Sequence, residues 1–447
     1  MKKSSLIGHT VEAYDLIIRD PHPADSVLDT FFRSHKYLGS HDRRFVAESV
    51  YGMLRCKRRL EWLLGGTSSE AAAASDQRQS LLVCLLYLVV YCHEEVGKLL
   101  EQCEPDPEEK KLLPVVLAEA KERNERFESA ADAGLDSMTR LAIRFSFPSW
   151  MIERWVAEFG EDETCAMCAA LNTQAPLTLR VNLLKTDVES CSRALEEEKV
   201  KTERTKLSPT GLTVHRRMNI FALDAFQKGF FEVQDEGSQI LSMLVDPKPT
   251  SKVVDACAGG GGKSLALAAL MKNRGAIFAL DTNAYRLDGL RKRIKRSGVD
   301  TIRVRVVQAG QLPADLLGTA DNVLVDAPCS GLGTIRRNPG TKWTVTPEDV
   351  AELRVKQLSI LTHYAQCVKT NGRLVYATCT TMKDENEGVV EAFLAANPQF
   401  ELLEPSSILK RYQLENLGKE KYFRLKPHVH NTDGFFAAVM RKKESRP

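Results

Sequence analysis

Two cysteines stand where nucleophilic chemistry is possible: Cys379 in the segment YATCT, and Cys329 in the segment DAPC that begins at Asp326. Each follows an apolar run, GRLVYAT or NVLVD, that reads as a buried strand, so both thiols are expected at strand tips beside one cleft. A single cysteine in such a place is ordinarily a core residue. Two of them with an aspartate between strand and thiol form a set that packing alone would not select. A thiolate adds to electrophilic carbon and splits a difficult displacement into two easier steps, and a neighbouring carboxylate can share a proton with the group attacked.

A third segment supplies a binding site. The strand KVVD ends at Asp255 and runs into Ala256, Cys257, Ala258, Gly259, Gly260, Gly261, Gly262, Lys263 and Ser264. Four glycines before a helix N-terminus let backbone N–H groups approach a small ligand. Gly262-Lys263-Ser264 ends like the phosphate loop GxxxxGK[ST], but the first glycine of that pattern would fall at Cys257, and a dinucleotide-type GxGxxG also fails because Lys263 and Ser264 follow. The next strand, AIFALD, ends in Asp281, a position suited to accepting hydrogen bonds from a ribose. Asp255, Asp281 and Asp326 around the loop suit a nucleoside carrying positive charge, as S-adenosylmethionine does, better than a triphosphate. With this donor the two thiols suit methylation of a pyrimidine carbon. C5 becomes nucleophilic only after a thiolate has added to C6, while Asp326 holds the base at N3 and the 4-amino group. Which cysteine attacks is not decided by spacing.

The elements that must position these residues are legible. From Thr10 to about Arg126 the apolar spacing is helical, with a polar, alanine-rich interruption from Gly65 to Arg78. Short strand-like pieces, LTLRVN at 177–182 and LTVHR at 212–216, flank a helical stretch. After Asp246, apolar runs alternate with helices in the βαβ pattern of a largely parallel sheet. Three domains are expected: a helical one at 1–140, a small α+β unit at 145–235, and an α/β catalytic domain at 236–447.

Bulk properties agree with a folded enzyme: of 447 residues, 43% are hydrophobic and 27% charged. The net charge is only +3, yet basic residues cluster at Arg43-Arg44, Arg55 to Arg59, Arg286 to Arg296, and Arg336-Arg337 with Lys342, all candidates for phosphate contact. The 11 cysteines are scattered and read as reduced thiols. Cys165 and Cys168 form a CxxC pair that nothing nearby completes, so no metal site is expected. The apolar run Ser80 to Cys92 is too short for a bilayer, and the N-terminus lacks the pattern of a secretory signal. A cytoplasmic protein with no membrane contact is the expectation.

The motifs as a series resemble the NOL1/NOP2/Sun family of RNA 5-methylcytosine methyltransferases. The resemblance is carried by RVN at 180–182, FQKGFFEVQDEGSQ at 226–239, DACAGGGGKS, ALD, DAPCSGLG, IRRNPGTKW, YATCT, ENE at 385–387 and DGFF at 433–436, over about 260 residues. It implies a multidomain fold: an N-terminal all-α NusB-like bundle, a small α+β linker subdomain and a C-terminal α/β Rossmann-like methyltransferase domain. It implies Cys379 as nucleophile, Cys329 as the helper in product release, and Asp326 as the third catalytic residue. S-adenosylmethionine is then the cofactor, bound by Cys257, Ala258, Gly259, Gly260, Gly261, Gly262, Lys263, Asp281, Gln308 and Asp326. The NusB-like segment SHDRRFVAESVYGMLRCKRRLEWLL implies small-subunit ribosomal RNA as substrate, with Arg55 to Arg59 and the IRRNPGTKW loop as phosphate contacts and Trp343 as a stacking platform or a core residue; a monomer is the expected state. Two positions depart from the family: AP of its CAAPGGK loop is Gly259-Gly260 here, and an expected aspartate is Gln308. The first softens the loop and predicts weaker donor binding.

Overall fold

A computed structural model describes residues 1–20, 22–65, 76–103, 107, 109–129, 134–216 and 218–444. Residues 66–75 of the alanine-rich interruption lie outside this set. The chain divides into two compact units, one made of Met1–Thr173 with Ile335–Val345, the other of Gln174–Thr334 with Thr346–Pro447.

The first unit is helical. Its helices are α1 (Lys3–Arg19), α2 (Ala24–Ser34), α3 (Ser40–Leu64), α4 (Asp76–Val90), α5 (Val96–Cys103), α6 (Glu109–Glu128), α7 (Ser137–Phe145), α8 (Ser149–Phe159) and α9 (Glu161–Leu171). Val46, Val50, Met53, Leu54, Leu60 and Leu63 repeat at helical spacing along α3 and are buried against α1 and α4. Gly52 is required there, because a Cβ would lie 2.0 Å from the Tyr87 hydroxyl of α4. The segment 335–345 closes on the same unit. Lys342 is fully buried, its Nζ donating to Arg55 O (2.7 Å), Ser146 O (2.7 Å) and Asn172 Oδ1 (3.0 Å). Burial pushes its pKa down to about 7. The Trp343 indole N–H donates to Leu54 O (2.7 Å) and its ring packs on the helical core.

These contacts correct the reading of the basic clusters. Lys342 and Arg336 are buried, and Arg59 is buried on Asn124 and Glu128. Arg58 donates to Phe147 O and Ser149 Oγ, and Lys57 pairs with Glu61. The charges of Lys342, Arg59, Arg58 and Lys57 satisfy carbonyls, hydroxyls and carboxylates of the unit itself, because long side chains on a packed helix reach such groups of neighbouring chain before they reach solvent. Trp343 likewise takes the core reading, not that of an exposed stacking platform.

The second unit holds two sheets. In the smaller, β1 (Leu177–Val181), β2 (Thr202–Arg204), β3 (Gly211–Val214) and β4 (Phe231–Val233) pair antiparallel in the order β2-β3-β1-β4, with helix α10 (Val188–Glu197) packed on them. The larger is built from β5 (Lys252–Asp255), β6 (Ala276–Asp281), β7 (Ile302–Val306), β8 (Ala320–Asp326), β9 (Val368–Thr378), β10 (Phe400–Leu403), β11 (Phe423–Leu425) and β12 (Phe435–Lys442). Strands β5 to β9 are parallel, the order being β10-β12-β9-β8-β5-β6-β7 with β11 on β12. Val253, Val254, Val323, Leu324, Val325, Leu374 and Val375 are all fully buried, as strands covered on both faces require. Strand order reverses between β5 and β8, and in open α/β sheets ligands lie at the carboxyl ends of strands at such a switch point.

Residues of the RVN and FQKGFFEVQDEGSQ motifs, the second running into α11 (Glu236–Val245), join the two sheets. The Asn182 amide donates to Gly229 O and Ser297 O, both at 3.0 Å. Buried Glu232 binds Arg293 (2.9 Å) and Arg296, which removes both arginines from the exposed face of helix α13 (Ala284–Ser297) and leaves Arg286, Arg291, Lys292 and Lys295 on it. Sequence reading had counted every basic residue from Arg286 to Arg296 as a candidate for phosphate.

Candidate active site

The glycine loop follows β5 and leads into α12 (Gly262–Leu270). Gly259 (φ +52) and Gly261 (φ +78) take left-handed backbone, and a Cβ on Gly261 would sit 2.1 Å from Leu290 Cδ1. At Gly259 nothing lies within 4 Å of the Cβ position, so this side of the loop is open to a ligand. Asp281 holds the loop from the tip of β6, accepting from Gly259 N (2.8 Å) and, with its other oxygen, from Asn283 N (2.8 Å). Arg293 holds it from α13, donating to Gly260 O (2.6 Å). The loop expected to be soft at Gly259-Gly260 is thus braced at both glycines, which limits the ordering that a ligand must impose. Cys257 and Ala258 stand half-buried between Asp255 and the glycines. Gln308 lies exposed two residues beyond β7.

Asp255 departs from expectation. It does not rim the loop but is buried beneath it, accepting from Ser264 Oγ (2.6 Å). Burial, with repulsion from Asp326 and Asp281, outweighs the Ser264 hydrogen bond and the pull of Lys263 and lifts its pKa to about 7. The Ser264 hydroxyl, the group that would meet magnesium in a phosphate loop, is committed to this carboxyl. Asp255 Oδ1 is buried without a hydrogen-bond partner among the described residues. The open space at Gly259, the spare lone pairs of Asp281 at the strand tip and this orphaned oxygen fit a donor nucleoside with a positively charged tail.

The raised pKa makes stability depend on pH. The folded state holds a proton on Asp255 that the unfolded chain, with its ordinary value of 3.8, releases. Stability from this group is therefore complete below about pH 4 and declines as pH rises toward and through 7. We predict that the urea-unfolding free energy falls by about 1 kcal/mol from this group between pH 6 and pH 8, and that Asp255→Asn, which cannot ionise, removes this part of the slope. An identical slope in the variant would assign the dependence to other groups.

The candidate reacting side chains meet at the tips of β8 and β9, where Asp326 pairs in register with Ala377. Cys329 Sγ and Cys379 Sγ are 3.4 Å apart, and the Cys379 N–H points at Cys329 Sγ (3.3 Å). The hydrogen bond to Cys379, then burial, then repulsion from Cys379 and Glu385 push the Cys329 thiol well above its ordinary range, so Cys329 is the sulfur that keeps its proton. Lys263 Nζ donates to Asp326 Oδ2 (2.6 Å). Burial lowers the Lys263 pKa, but the Asp326 carboxylate and its hydrogen bond, with Cys379 adding to them, raise it by more, so this residue is a firm cation beside the cysteines. The expected donor-loop residue Lys263 thus places its charge on Asp326.

Glu385, the first residue of the ENE segment, carries no role that the sequence alone assigns. It is fully buried, and its carboxylate accepts four hydrogen bonds: Ser330 N (2.8 Å) and Gln357 Nε2 (2.9 Å) on Oε1, Ser330 Oγ (2.5 Å) and Thr380 Oγ1 (2.8 Å) on Oε2. Ser330 follows Cys329 and Thr380 follows Cys379, so one carboxylate fixes both cysteine loops. Gln357, on α14 (Pro347–Ala365), also donates to Pro328 O (3.0 Å), and Asn386 takes the Thr378 hydroxyl on its Oδ1 (2.5 Å) while its amide donates to Thr380 O (3.2 Å). A buried acid with a serine or threonine after each cysteine was the signal available in the sequence.

Comparison with known proteins agrees with this arrangement. Residues 242–441 match the family model for 16S rRNA methyltransferase RsmB/F, and residues 147–221 match the ferredoxin-like domain of RsmF/B-like methyltransferases. The chain is 31% identical over 458 residues to the probable ribosomal RNA small subunit methyltransferase B of Bacillus subtilis, covering 99% of this chain and 100% of the relative. The corresponding protein of Synechocystis is also 31% identical, over 96% of this chain and 98% of its own. The crystal structure of the protein PH0851 superimposes with a TM-score of 0.77 at 28% identity, covering 98% of this chain and 99% of that one. No helix among the described residues is long and apolar enough to cross a membrane. The glycine loop, the acid-tipped strands and the full-length likeness together place the chain in the RsmB/F family of 16S ribosomal RNA methyltransferases, which use S-adenosylmethionine as methyl donor.

Proposed function

We propose that this protein transfers a methyl group to C5 of a cytosine in small-subunit ribosomal RNA through a covalent bond between Cys379 and C6. The observation that carries the reading is the pair of thiols 3.4 Å apart, one of them held protonated, beside the Lys263–Asp326 ion pair. A cytosine presented to this site offers N3 and its amino group to Asp326. As Cys379 sulfur bonds to C6, the ring's electron pair moves toward N3, which takes a proton through the Lys263–Asp326 pair, and C5 becomes nucleophilic. S-adenosylmethionine, when bound by the glycine loop and Asp281, supplies an electrophilic methyl group to C5. Restoring the aromatic ring then requires loss of the C5 proton and return of the C6–S electron pair to Cys379. The Cys329 thiol, whose hydrogen bond to Cys379 is gone once that sulfur is bonded to C6, must release its own proton before its thiolate takes the one from C5, and the N3 proton leaves by the Lys263–Asp326 pair that delivered it. Asp326 and Lys263 hold the base and its charge throughout, in a half-buried site that strengthens their effect.

The test is methyl transfer from labelled donor to small-subunit RNA or subunits from cells lacking the enzyme, followed by nucleoside analysis. Label in 5-methylcytosine is the expected result. Label on any other nucleoside, or none where RNA binding is intact, would end this reading.

A further inference from the structure

We propose a divalent transition-metal site, suited to zinc, in the helical unit at His9, Glu12 and His35. None of the three belongs to the cysteine chemistry. His9 and Glu12 share one face of α1 at i, i+3 spacing, and His35 caps the C-terminus of α2. The Glu12 carboxylate stands between the rings: Oε2 is 3.4 Å from His9 Nδ1, and Oε1 is 3.6 Å from His35 Nε2. One atom of each residue lies within 4.8 Å of the other two. Tetrahedral zinc with ligands at 2.0–2.1 Å needs them about 3.3 Å apart, and each imidazole already stands near that distance from one oxygen of the Glu12 carboxylate, which a small rotation of the carboxylate can turn to both.

The outer hydrogen bonds point the same way. His35 Nδ1 is 2.9 Å from Phe31 O, which can only accept, so Nδ1 bears a proton and Nε2 is the nitrogen turned to Glu12. His9 Nε2 is 3.2 Å from the Tyr37 hydroxyl, which as acceptor for an Nε2 proton would free Nδ1 to bind a metal beside Glu12. Both imidazoles thus have their far nitrogen engaged and their near nitrogen turned to a carboxylate, the arrangement found around metal-bound histidines. Both rings are only partly exposed, with side-chain accessibility of 18% for His9 and 19% for His35, while Glu12 at 50% leaves an open side for a fourth, water ligand. The sequence shows no ligand spacing because the third ligand comes from a different helix. Bound metal would tie α1 to the end of α2.

The experiment uses the untagged full-length protein, stripped with chelator and titrated with cobalt(II) and then zinc(II). One equivalent of cobalt should bind with the visible absorption of a four-coordinate site, be displaced by zinc, and raise the melting temperature. His35→Ala should weaken binding by at least about tenfold, and Tyr37→Phe, which removes only an outer partner, by about tenfold. Methyl transfer should be unchanged in both. Absence of saturable binding, or binding retained in a His9→Ala/His35→Ala protein that still melts cooperatively, would overturn the site. The second outcome would move the metal to the cysteines. If the rings are instead both protonated against Glu12, NMR titration will show imidazolium signals that zinc does not perturb, which also overturns it.

Discussion

Replacing Cys379 by alanine is expected to abolish both methyl transfer and the covalent complex with 5-fluorocytosine-containing RNA, by a factor of at least about a thousand, or about 4 kcal/mol of barrier. Cys329→Ala is expected to behave differently: it still attacks, but the adduct with ordinary RNA persists because the step that frees the product is slowed. The physical reason lies in the proton between the two sulfurs. Cys329 is held protonated by its hydrogen bond to Cys379 and by burial, so it is the poorer nucleophile of the pair in the resting site. Gel shift under denaturing conditions distinguishes the variants directly. An adduct that survives in Cys379→Ala and is lost in Cys329→Ala would reverse the two roles while leaving the methyl-transfer chemistry intact.

Glu385→Ala should have the next largest effect. The substitution leaves the Ser330 and Gln357 N–H groups buried without acceptors, each costing about 1–3 kcal/mol, so we expect a loss of about 3–5 kcal/mol in urea unfolding. Because the carboxylate is the link between the residue after Cys329 and the residue after Cys379, the sulfurs should also lose their mutual position. Displacement of reacting groups by about 1 Å can cost a hundredfold in rate, and kcat should fall to that extent with little change in donor affinity, since Glu385 does not touch the glycine loop. Glu385→Gln keeps one acceptor oxygen and should recover much of the stability, because the Ser330 and Thr380 hydroxyls can rotate to accept. Adduct formation at the ordinary rate in a folded Glu385→Ala protein would show that the clamp is dispensable for attack.

The reading of the basic residues shows why composition is a weak guide to an RNA surface. Charge clusters at Arg55 to Arg59 and at Arg336, Arg337 and Lys342 looked alike in the sequence. In the structure Arg59, Arg336 and Lys342 are buried, and Lys342 binds three oxygens of the helical unit. A charge is available to phosphate only if no internal carboxylate or carbonyl reaches it first, and that depends on which helices meet.

Other features were legible for local reasons. The run of βαβ units, the strands ending in Asp255, Asp281 and Asp326, and the glycine loop each express a rule that acts within a few residues: apolar periodicity, chain reversal, and the need for left-handed backbone at Gly259 and Gly261. The presence of thiols just beyond two apolar strands was equally local. What needed the tertiary structure were relations across distance. The pairing of β8 with β9 sets Cys329 and Cys379 3.4 Å apart across 50 residues of sequence. The sheet's twofold covering buries Asp255 and raises its pKa, while Asp281, at an equivalent strand tip, stays half-exposed. Glu385 reaches both cysteine loops only because α14 and the two strand ends converge on it. Local sequence determined which chemical groups stand at the ends of which elements, because propensity and periodicity act over one or two turns. Their protonation, distances and partners were decided by packing, because electrostatics and hydrogen bonding depend on neighbours that the chain brings together from far apart.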